Sequence, residues 1–310
     1  MAFGSGGFPR WIAVGNQQNG EGFGHDSFVA RRRRRYRSGM NVSDGSRRAL
    51  CAVWMVALLG GCGADHYARQ GKDAQDAHDL PAAERHYRDA IARDPEHVDA
   101  LAGLGWVYLL AGQTDAADAA FTQCRKSDAG NAECLRGAAS VASAKGNPGE
   151  AQRLLNDALQ RHPQHSGALS SAALLDLAAG RVDQALRRYR QLGDREPERA
   201  EYRLGIAEAL MRSKAHEEAL TEIEGALALP DAPKRTRAML LQTQARALVA
   251  ASARRVDPES CETTAAPVRA WLDAADRAVD LAETVGVALP ELPVVERRIR
   301  NQRARVSELC

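Results

Sequence analysis

The 310-residue sequence predicts an all-α fold, an α-solenoid of five helix–turn–helix repeats that ends in a C-terminal helical cap. Three observations lead to this prediction. One pattern of 34 residues recurs five times without insertion in residues 64–233. Glycine and proline fall where the helices of such a unit end and begin, and no segment alternates apolar and polar residues as a strand does. Stacked units that bury their apolar faces only against their neighbours form a solenoid.

Three positions set the register of the units, which span residues 64–97, 98–131, 132–165, 166–199 and 200–233. Position 8 is always small: Gly71, Gly105, Ala139, Ala173 and Ala207. Position 20 is always alanine: Ala83, Ala117, Ala151, Ala185 and Ala219. Position 24 is bulky: Tyr87, Phe121, Leu155, Tyr189 and Ile223. Because two helices approach closely only where a small residue admits a large one, we expect Gly105 to face Phe121.

Glycine and proline mark the turns of the repeat. A glycine follows the first helix of three units, where a left-handed cap is needed: Gly112, Gly146 and Gly180. Pro81 and Pro148 stand where the second helix begins, a position at which the missing N–H costs nothing. Asn147 precedes Pro148 and is a suitable N-cap residue.

The unit at residues 98–131 carries its key residues most clearly: Leu101, Leu104, Gly105, Tyr108, Ala117 and Phe121. With its period of 34 residues, it resembles the tetratricopeptide repeat (TPR), a helix–turn–helix unit. The resemblance covers more than half of the chain. It implies a scaffold for protein partners and does not identify the partner.

In the TPR family, the first helix of each unit lines the concave face of the solenoid. The resemblance implies a protein-binding surface made of Trp106, Leu109, Arg136, Ser140, Leu174, Leu177, Leu204, Glu208 and Met211. We expect the apolar members to form an exposed groove beside one cation, Arg136, with Trp106 as an anchor that can be truncated without loss of fold. The alternative is that some of them, notably Leu174 and Leu177, pack between helices. Arg136 alone does not reproduce the carboxylate clamp of the chaperone-binding TPR subgroup.

Residues 49–59 are apolar, follow two arginines and are too few to span a bilayer as a helix. They match the core of a secretory signal at residues 40–61. The Leu-Gly-Gly-Cys sequence at 59–62 resembles a bacterial lipobox, which implies cleavage before Cys62 and lipidation of that residue. Since Gly63 is not the Asp associated with inner-membrane retention, the resemblance predicts an outer-membrane lipoprotein that faces the periplasm. The alternative is a buried helix that happens to end in Gly-Gly-Cys.

Residues 1–39 fit this interpretation poorly, because they are rich in glycine, lack the repeat and contain an arginine run at 31–35. A signal peptide that starts at Met40 has ordinary proportions, so we interpret the preceding segment as an over-extended start. Three alternatives remain. The arginine run can bind nucleic acid or acidic surfaces, or it can form a long basic n-region. Arg47 and Arg48 also partly match a twin-arginine export signal, although Cys51 replaces an expected apolar residue.

The basic character of the chain lies in its leader. The whole sequence has 42 Lys and Arg against 40 Asp and Glu, and residues 1–61 hold nine arginines and three acids. Residues 62–310 therefore hold 33 basic and 37 acidic residues, a net charge of −4. A mildly acidic solenoid without a basic stripe is not expected to bind nucleic acid.

Four cysteines remain after removal of the signal and lipidation of Cys62: Cys124, Cys134, Cys261 and Cys310. An even number in an oxidising compartment favours disulfides. Cys124 and Cys134 flank one turn between repeats, so antiparallel packing brings them close together. Alternatively, both are reduced, and Cys124 is a small buried residue where other repeats have alanine.

The repeat decays after Pro233. Residues 234–256 resemble half of a sixth unit, residues 257–264 read as a loop, and residues 268–285 have an amphipathic helical pattern. A last helix, from about residue 294 to residue 309, carries five arginines. A polar helical cap over residues 234–310 accounts for this segment, and the alternative is a basic docking surface for an acidic partner.

No catalytic, cofactor or metal motif is present in the sequence, so we predict a protein that is not an enzyme and needs no cofactor. We expect protein partners from the cell envelope, a membrane contact through the lipid anchor and no nucleic acid. Two hypotheses share these features. The first is an assembly or stability factor for a pilus or secretion apparatus, similar to the TPR lipoproteins that accompany type IV and Flp pili. The second is an adaptor that organises cell-wall enzymes or proteases, and an enzyme is a weaker third.

Overall fold

A computed structural model describes residues 63–255 and 261–309, with the side chains of residues 261–263 left out. These residues form thirteen α-helices and no strand, as the sequence predicts. The described residues divide into two compact units, one that ends at residue 168 and one that begins at residue 169. The predicted signal peptide and Cys62 lie outside the described residues. So does Cys310, the last residue.

The first compact unit contains helices that alternate in direction along the chain. They are α1 (described from residue 63 to residue 76), α2 (Leu80–Arg93), α3 (Val98–Leu110), α4 (Thr114–Ser127), α5 (Ala132–Ala144), α6 (Pro148–Arg161) and the first residues of α7 (Ser166–Ala178). From α2 to α6 each helix packs on the next one, and α3 also contacts α5. This is the helix–turn–helix order that the 34-residue period predicts.

The second compact unit holds the rest of α7 and six further helices. They are α8 (Val182–Arg195), α9 (Ala200–Arg212), α10 (His216–Leu227), α11 (Lys234–Arg255), α12 (Cys261–Thr284) and α13 (Leu292–Leu309). The long helix α11 packs on α9, α10, α12 and α13, so it joins the repeats to the C-terminal helices. The core of this end contains Leu241, Leu248, Leu272, Val279 and Ile299, all buried.

The turn after the first helix has one conformation in all five repeats. Gly112, Gly146 and Gly180 have φ angles of 76°, 77° and 74°, which confirms the predicted left-handed caps. The equivalent residues of the first and fifth repeats are not glycine. His78 and Lys214 occupy these positions with φ angles of 61° and 64°, so the repeat imposes the conformation even on residues that disfavour it.

The aromatic residue at position 24 lies between two helices at sites where glycine removes the side chain. A Cβ added at Gly105 would lie 2.7 Å from the ring of Phe121, and one added at Gly137 would overlap the same ring. Tyr87 relates to Gly71 and Gly103 in the same way. The expected contact between Gly105 and Phe121 is therefore present. The structure also shows a contact that the sequence analysis did not predict, between the same ring and a second glycine at position 6 of the next repeat.

The C-terminal helices differ from the sequence prediction at one boundary. Helix α12 already begins at Cys261, so the prediction of a loop is wrong for residues 261–264. The polar residues of that stretch favoured a loop, whereas the structure continues the helix through them and places Pro267 inside it. Helices α11 and α13 agree with the predicted segments to within two residues.

Asn147 occupies its predicted N-cap position at the start of α6 without a side-chain hydrogen bond. The side chain of Asn131, in contrast, accepts two hydrogen bonds from backbone N–H groups at the start of α5.

Candidate protein-binding surface

Trp106 and Arg136 form a stacked pair between neighbouring repeats. Trp106 lies on α3 and Arg136 on α5, and the Arg136 Cζ atom is 3.9 Å from the centroid of the indole ring. The ring of Phe121 meets the indole edge-on, with centroids 5.4 Å apart. Burial on both sides leaves Trp106 only 7% exposed and Arg136 only 8% exposed. A guanidinium stacked on indole is an attractive arrangement that fixes the position of the cation.

Glu133 ties this pair together. Its Oε2 atom accepts hydrogen bonds from Arg136 Nε at 2.9 Å, from Arg136 Nη2 at 2.7 Å and from Trp106 Nε1 at 3.3 Å. Its Oε1 atom lies 3.5 Å from His165 Nε2. Burial raises the pKa of this carboxyl, but Arg136 and His165 outweigh burial and bring the pKa below its ordinary value. Glu133 is therefore ionised, and it accepts hydrogen bonds from two of the three guanidinium nitrogens of Arg136.

The expectation of an exposed apolar groove is wrong. Leu174, Leu177 and Leu204 are buried like Trp106, and none of the nine predicted surface residues is exposed. Four of them are half-buried: Leu109, Ser140, Glu208 and Met211. The physical reason is that a first helix packs against helices of its own and of the adjacent repeat, so its large apolar side chains are absorbed into the packing. Whether these residues bind a partner stays a prediction.

In the second compact unit, the predicted surface residues are engaged by other helices. Glu208 Oε1 accepts hydrogen bonds from Thr243 Oγ1 and Arg246 Nη1, both at 2.9 Å, which connects α9 with α11. Arg212 Nη1 donates to the carbonyl oxygen of Leu177 at 2.9 Å. These contacts leave the group around Arg136 as the most complete candidate site among the described residues.

A disulfide joins Cys124 at the end of α4 to Cys134 at the start of α5, with Cα atoms 5.6 Å apart. Both residues are buried in an apolar cluster with Leu101 and Ala102. The bond therefore links the second repeat to the third, one residue from Glu133. The side chain of Cys261 is not among the described ones and Cys310 lies outside the described residues, so a disulfide at either of these candidates stays a prediction.

Two histidines have a role that the sequence analysis missed. His97 Nδ1 accepts the N–H of Ala100 at 3.2 Å, and His165 Nδ1 accepts the N–H of Ala168 at 3.0 Å. Each caps the first helix of a repeat, and each directs Nε2 toward a carboxylate; for His97 this is Asp65, at 2.9 Å. The signal was their spacing, because residues 97, 131 and 165 stand at the same position of successive repeats. Among the described residues, no group of three or more His, Cys, Asp or Glu is placed to hold a metal ion.

A model of the tetratricopeptide repeat family matches residues 74–141, 142–202 and 176–244, which together span more than half of the chain. The protein belongs to the tetratricopeptide repeat family. None of the curated proteins matches it. Within the described residues, no helix is both long and apolar enough to cross a membrane.

Solved structures share this fold at low sequence identity. PilF of Pseudomonas aeruginosa is 18% identical, with a TM-score of 0.55 over 76% of this chain and 97% of PilF. PilW, described as a widely conserved type IV pilus biogenesis factor, is 15% identical, with a TM-score of 0.55 over 75% of this chain and 97% of PilW. The APC/C hetero-tetramer Cut9–Hcn1 is 12% identical, with a TM-score of 0.60 over 76% of this chain and 42% of that chain. Identities this low establish the fold alone.

Proposed function

We propose that this protein is a lipid-anchored TPR scaffold that faces the periplasm and binds protein partners during assembly or stabilisation of a pilus or secretion apparatus. The TPR fold is generally a non-catalytic scaffold for protein interactions. The fold that it shares with PilF and PilW, over nearly the whole of both proteins, supports the pilus assignment. The similarity to Cut9–Hcn1 shows why fold alone is insufficient, so the proposal depends on the site.

The observation that carries the proposal is the position of Arg136. Stacking on Trp106 and two bonds to Glu133 hold its guanidinium rigidly. Both bonds use Nε and Nη2, and within the described part of the chain Nη1 has no hydrogen-bond partner. Arg136 keeps 8% of its surface exposed, and an uncommitted donor on a fixed guanidinium is preorganised for a carboxylate or carbonyl oxygen of a partner.

Two half-buried residues flank Arg136 and complete the proposed contact surface. Ser140 lies one turn further along α5, and its hydroxyl donates to the carbonyl oxygen of Arg136 at 3.2 Å. Leu109 lies one turn after Trp106 on α3 and supplies partly exposed apolar surface. A small polar and apolar rim around one fixed cation suits a short polar segment of a partner better than the broad apolar groove that the sequence predicts.

Lipid attachment at Cys62 is the second element of the proposal. Residue 63 already lies in α1, and Ala64 is fully buried in the first repeat. An anchored Cys62 would therefore join the repeats to the membrane without a spacer. Labelled fatty acid should enter the protein in bacterial cells, and Cys62→Ser should abolish incorporation. Persistent label in that variant would contradict the lipoprotein assignment.

The partner proposal is tested by affinity capture from solubilised envelopes with identification by mass spectrometry. We expect pilus or secretion components to be retained by the wild-type protein and lost with Arg136→Glu. Arg153→Glu is the control for the change of charge, because Arg153 is exposed on α6 and, among the described residues, pairs with Glu150 alone. Equal retention by all three proteins would refute the Arg136 surface.

The alternative function is an adaptor for cell-wall enzymes or proteases, which shares the repeats, the signal and the binding surface. Retention of peptidoglycan hydrolases in place of pilus components would establish it. Gene neighbourhood gives a second discrimination, since pilus ATPase and secretin genes accompany the first function and hydrolase genes the second.

A further inference from the structure

Helix α13 has a buried side and an exposed side. Leu292, Val295, Ile299 and Val306 are buried against α11 and α12. On the other side, residues spaced by four, three, four and four positions form one straight row along the helix, which we call the α13 row: Val294, Arg298, Asn301, Arg305 and Leu309. All five are exposed. The spacing places them on one face, since residues three and four apart are neighbours on a helix surface.

The two ends of the α13 row are unusual for a solvated cap. Val294 is 46% exposed and Leu309 is 38% exposed. Together with Leu281, they are the exposed large apolar residues of the part of the chain that the structure describes. A terminal helix with only a solvent-facing role would carry polar residues there. Large apolar residues that bracket arginines have the composition of a protein interface.

The arginines of α13 have two different roles. Arg303 donates to Asp273 Oδ1 at 2.7 Å and to Asp276 Oδ2 at 2.5 Å, so it fastens α13 to α12. Arg298 and Arg305 form no ion pair or hydrogen bond within the described residues. The docking of α13 on α12 therefore does not explain why cations stand in the α13 row.

The charge of α13 contrasts with that of the rest of the protein. Residues 292–310 contain five arginines and two glutamates, a net charge of +3. Residues 62–291 contain 28 basic and 35 acidic residues, a net charge of −7. The α13 row is thus a cationic surface on an acidic body, and the complementary occupant is anionic.

We propose that the α13 row is a second docking surface, which binds an acidic amphipathic helix of a protein partner. The row spans sixteen residues from Val294 to Leu309, about 22 Å of helix, which matches a helix of similar length laid alongside. A membrane surface fits less well, because an interfacial helix inserts a continuous apolar face. The continuous apolar face of α13 is already buried, and the exposed large apolar residues of this helix are the two at the ends of the α13 row, Val294 and Leu309.

The test measures binding of a synthetic helical peptide that repeats the spacing of the α13 row, with glutamate opposite each arginine and leucine at each end. A peptide of the same composition in scrambled order is the specificity control. Arg298→Glu/Arg305→Glu removes the cations of the row. The matched control is Arg187→Glu/Arg190→Glu, which makes the same charge change at exposed arginines of α8.

We expect the row variant to weaken binding of the patterned peptide by about tenfold or more and the α8 variant by less than about twofold. Circular dichroism should show that both variants keep their helix content, and Arg298→Gln/Arg305→Gln should give an intermediate loss. Equal binding of the scrambled peptide, or equal weakening by both variants, would overturn the proposal. Binding to phosphatidylglycerol vesicles but not to the peptide, lost in the row variant, would overturn it in favour of a membrane contact.

Discussion

The ring of Phe121 lies directly against the backbone of Gly137, so closely that a methyl group at residue 137 would overlap it. The same pairing of an aromatic residue with a glycine recurs in the sequence of other repeats. Position 6 is glycine where the preceding repeat has an aromatic residue at position 24, as in the pairs Tyr87 and Gly103, Phe121 and Gly137, Tyr189 and Gly205. Where position 24 is Leu155 or Ile223, position 6 holds Ser171 or Met239 instead.

Gly137→Ala should lower the free energy of unfolding by about 1–3 kcal/mol, because the added methyl group overpacks a site that the ring already fills. Gly149→Ala is the control, since a Cβ there would have no atom within 4 Å. The control should be neutral or slightly stabilising, as alanine favours helix over glycine. Urea denaturation measures both, and Phe121→Leu should partly rescue Gly137→Ala. Equal effects of the two glycine substitutions would contradict this packing.

Lys214→Gly should raise the free energy of unfolding by about 0.5–1 kcal/mol. Its φ of 64° is a left-handed conformation that costs a non-glycine residue about 1–2 kcal/mol, and the greater freedom of glycine in the unfolded chain offsets part of that gain. The reverse change, Gly180→Ala, should be destabilising by a similar amount, although no atom would clash with its methyl group. Thermal denaturation followed by circular dichroism measures the pair. A stability loss in Lys214→Gly would show that the lysine side chain contributes more than the backbone conformation costs.

The Cys124–Cys134 disulfide should appear as one bridged peptide in mass spectrometry of the nonreduced protein from the periplasm. The bond closes a short loop, with a sequence separation of 10, so the chain-entropy contribution is about 2–3 kcal/mol. Cys124→Ala/Cys134→Ala should therefore lower the midpoint of urea denaturation. Added reductant should lower the midpoint of the wild type and leave that of the variant unchanged. Two alkylated free thiols in the periplasmic protein would contradict the prediction.

The sequence predicts features that depend on one repeat position, and it fails where two distant side chains decide the outcome. The left-handed conformation of Gly112 can be predicted from the sequence, because such a turn favours glycine whatever its neighbours are. The burial of Trp106 cannot be predicted in this way. The place of this residue on the first helix of a repeat predicts a ring on the concave surface, but the cation that covers it, Arg136, comes from the next repeat. The same limit applies to Asp176, a single acid in an apolar stretch, whose partners lie on the following turn and helix.

The burial of Trp106 reverses the expectation that its truncation leaves stability unchanged. Trp106→Ala should lower the free energy of unfolding by about 3–5 kcal/mol, since it opens a cavity beside Phe121 and removes the surface on which Arg136 stacks. Trp106→Phe keeps a ring and should cost clearly less. Urea denaturation separates the two. A melting curve of Trp106→Ala that matches the wild type would place the ring at the surface after all.

Asp176 is a carboxylate that is 0% exposed, and two arginines of the same repeat contact it. Arg181 Nε donates to its Oδ1 at 2.7 Å, and Arg188 Nη1 contacts its Oδ2. Burial lowers the pKa of Arg188, which shows that its charged guanidinium is partly removed from water.

Asp176→Ala should therefore lower the free energy of unfolding by about 3–5 kcal/mol, because it leaves Arg188 without its carboxylate in a desolvated position. Arg181→Ala should cost less than Asp176→Ala, as Arg181 is more exposed and Asp176 keeps its contact with Arg188. The decisive variant is Asp176→Leu/Arg188→Met, which removes both charges and should recover most of the loss by apolar packing. Urea denaturation of the four proteins measures the series. If the double variant is as unstable as Asp176→Ala, the cost lies in the lost shape of the side chain and not in an unpaired charge.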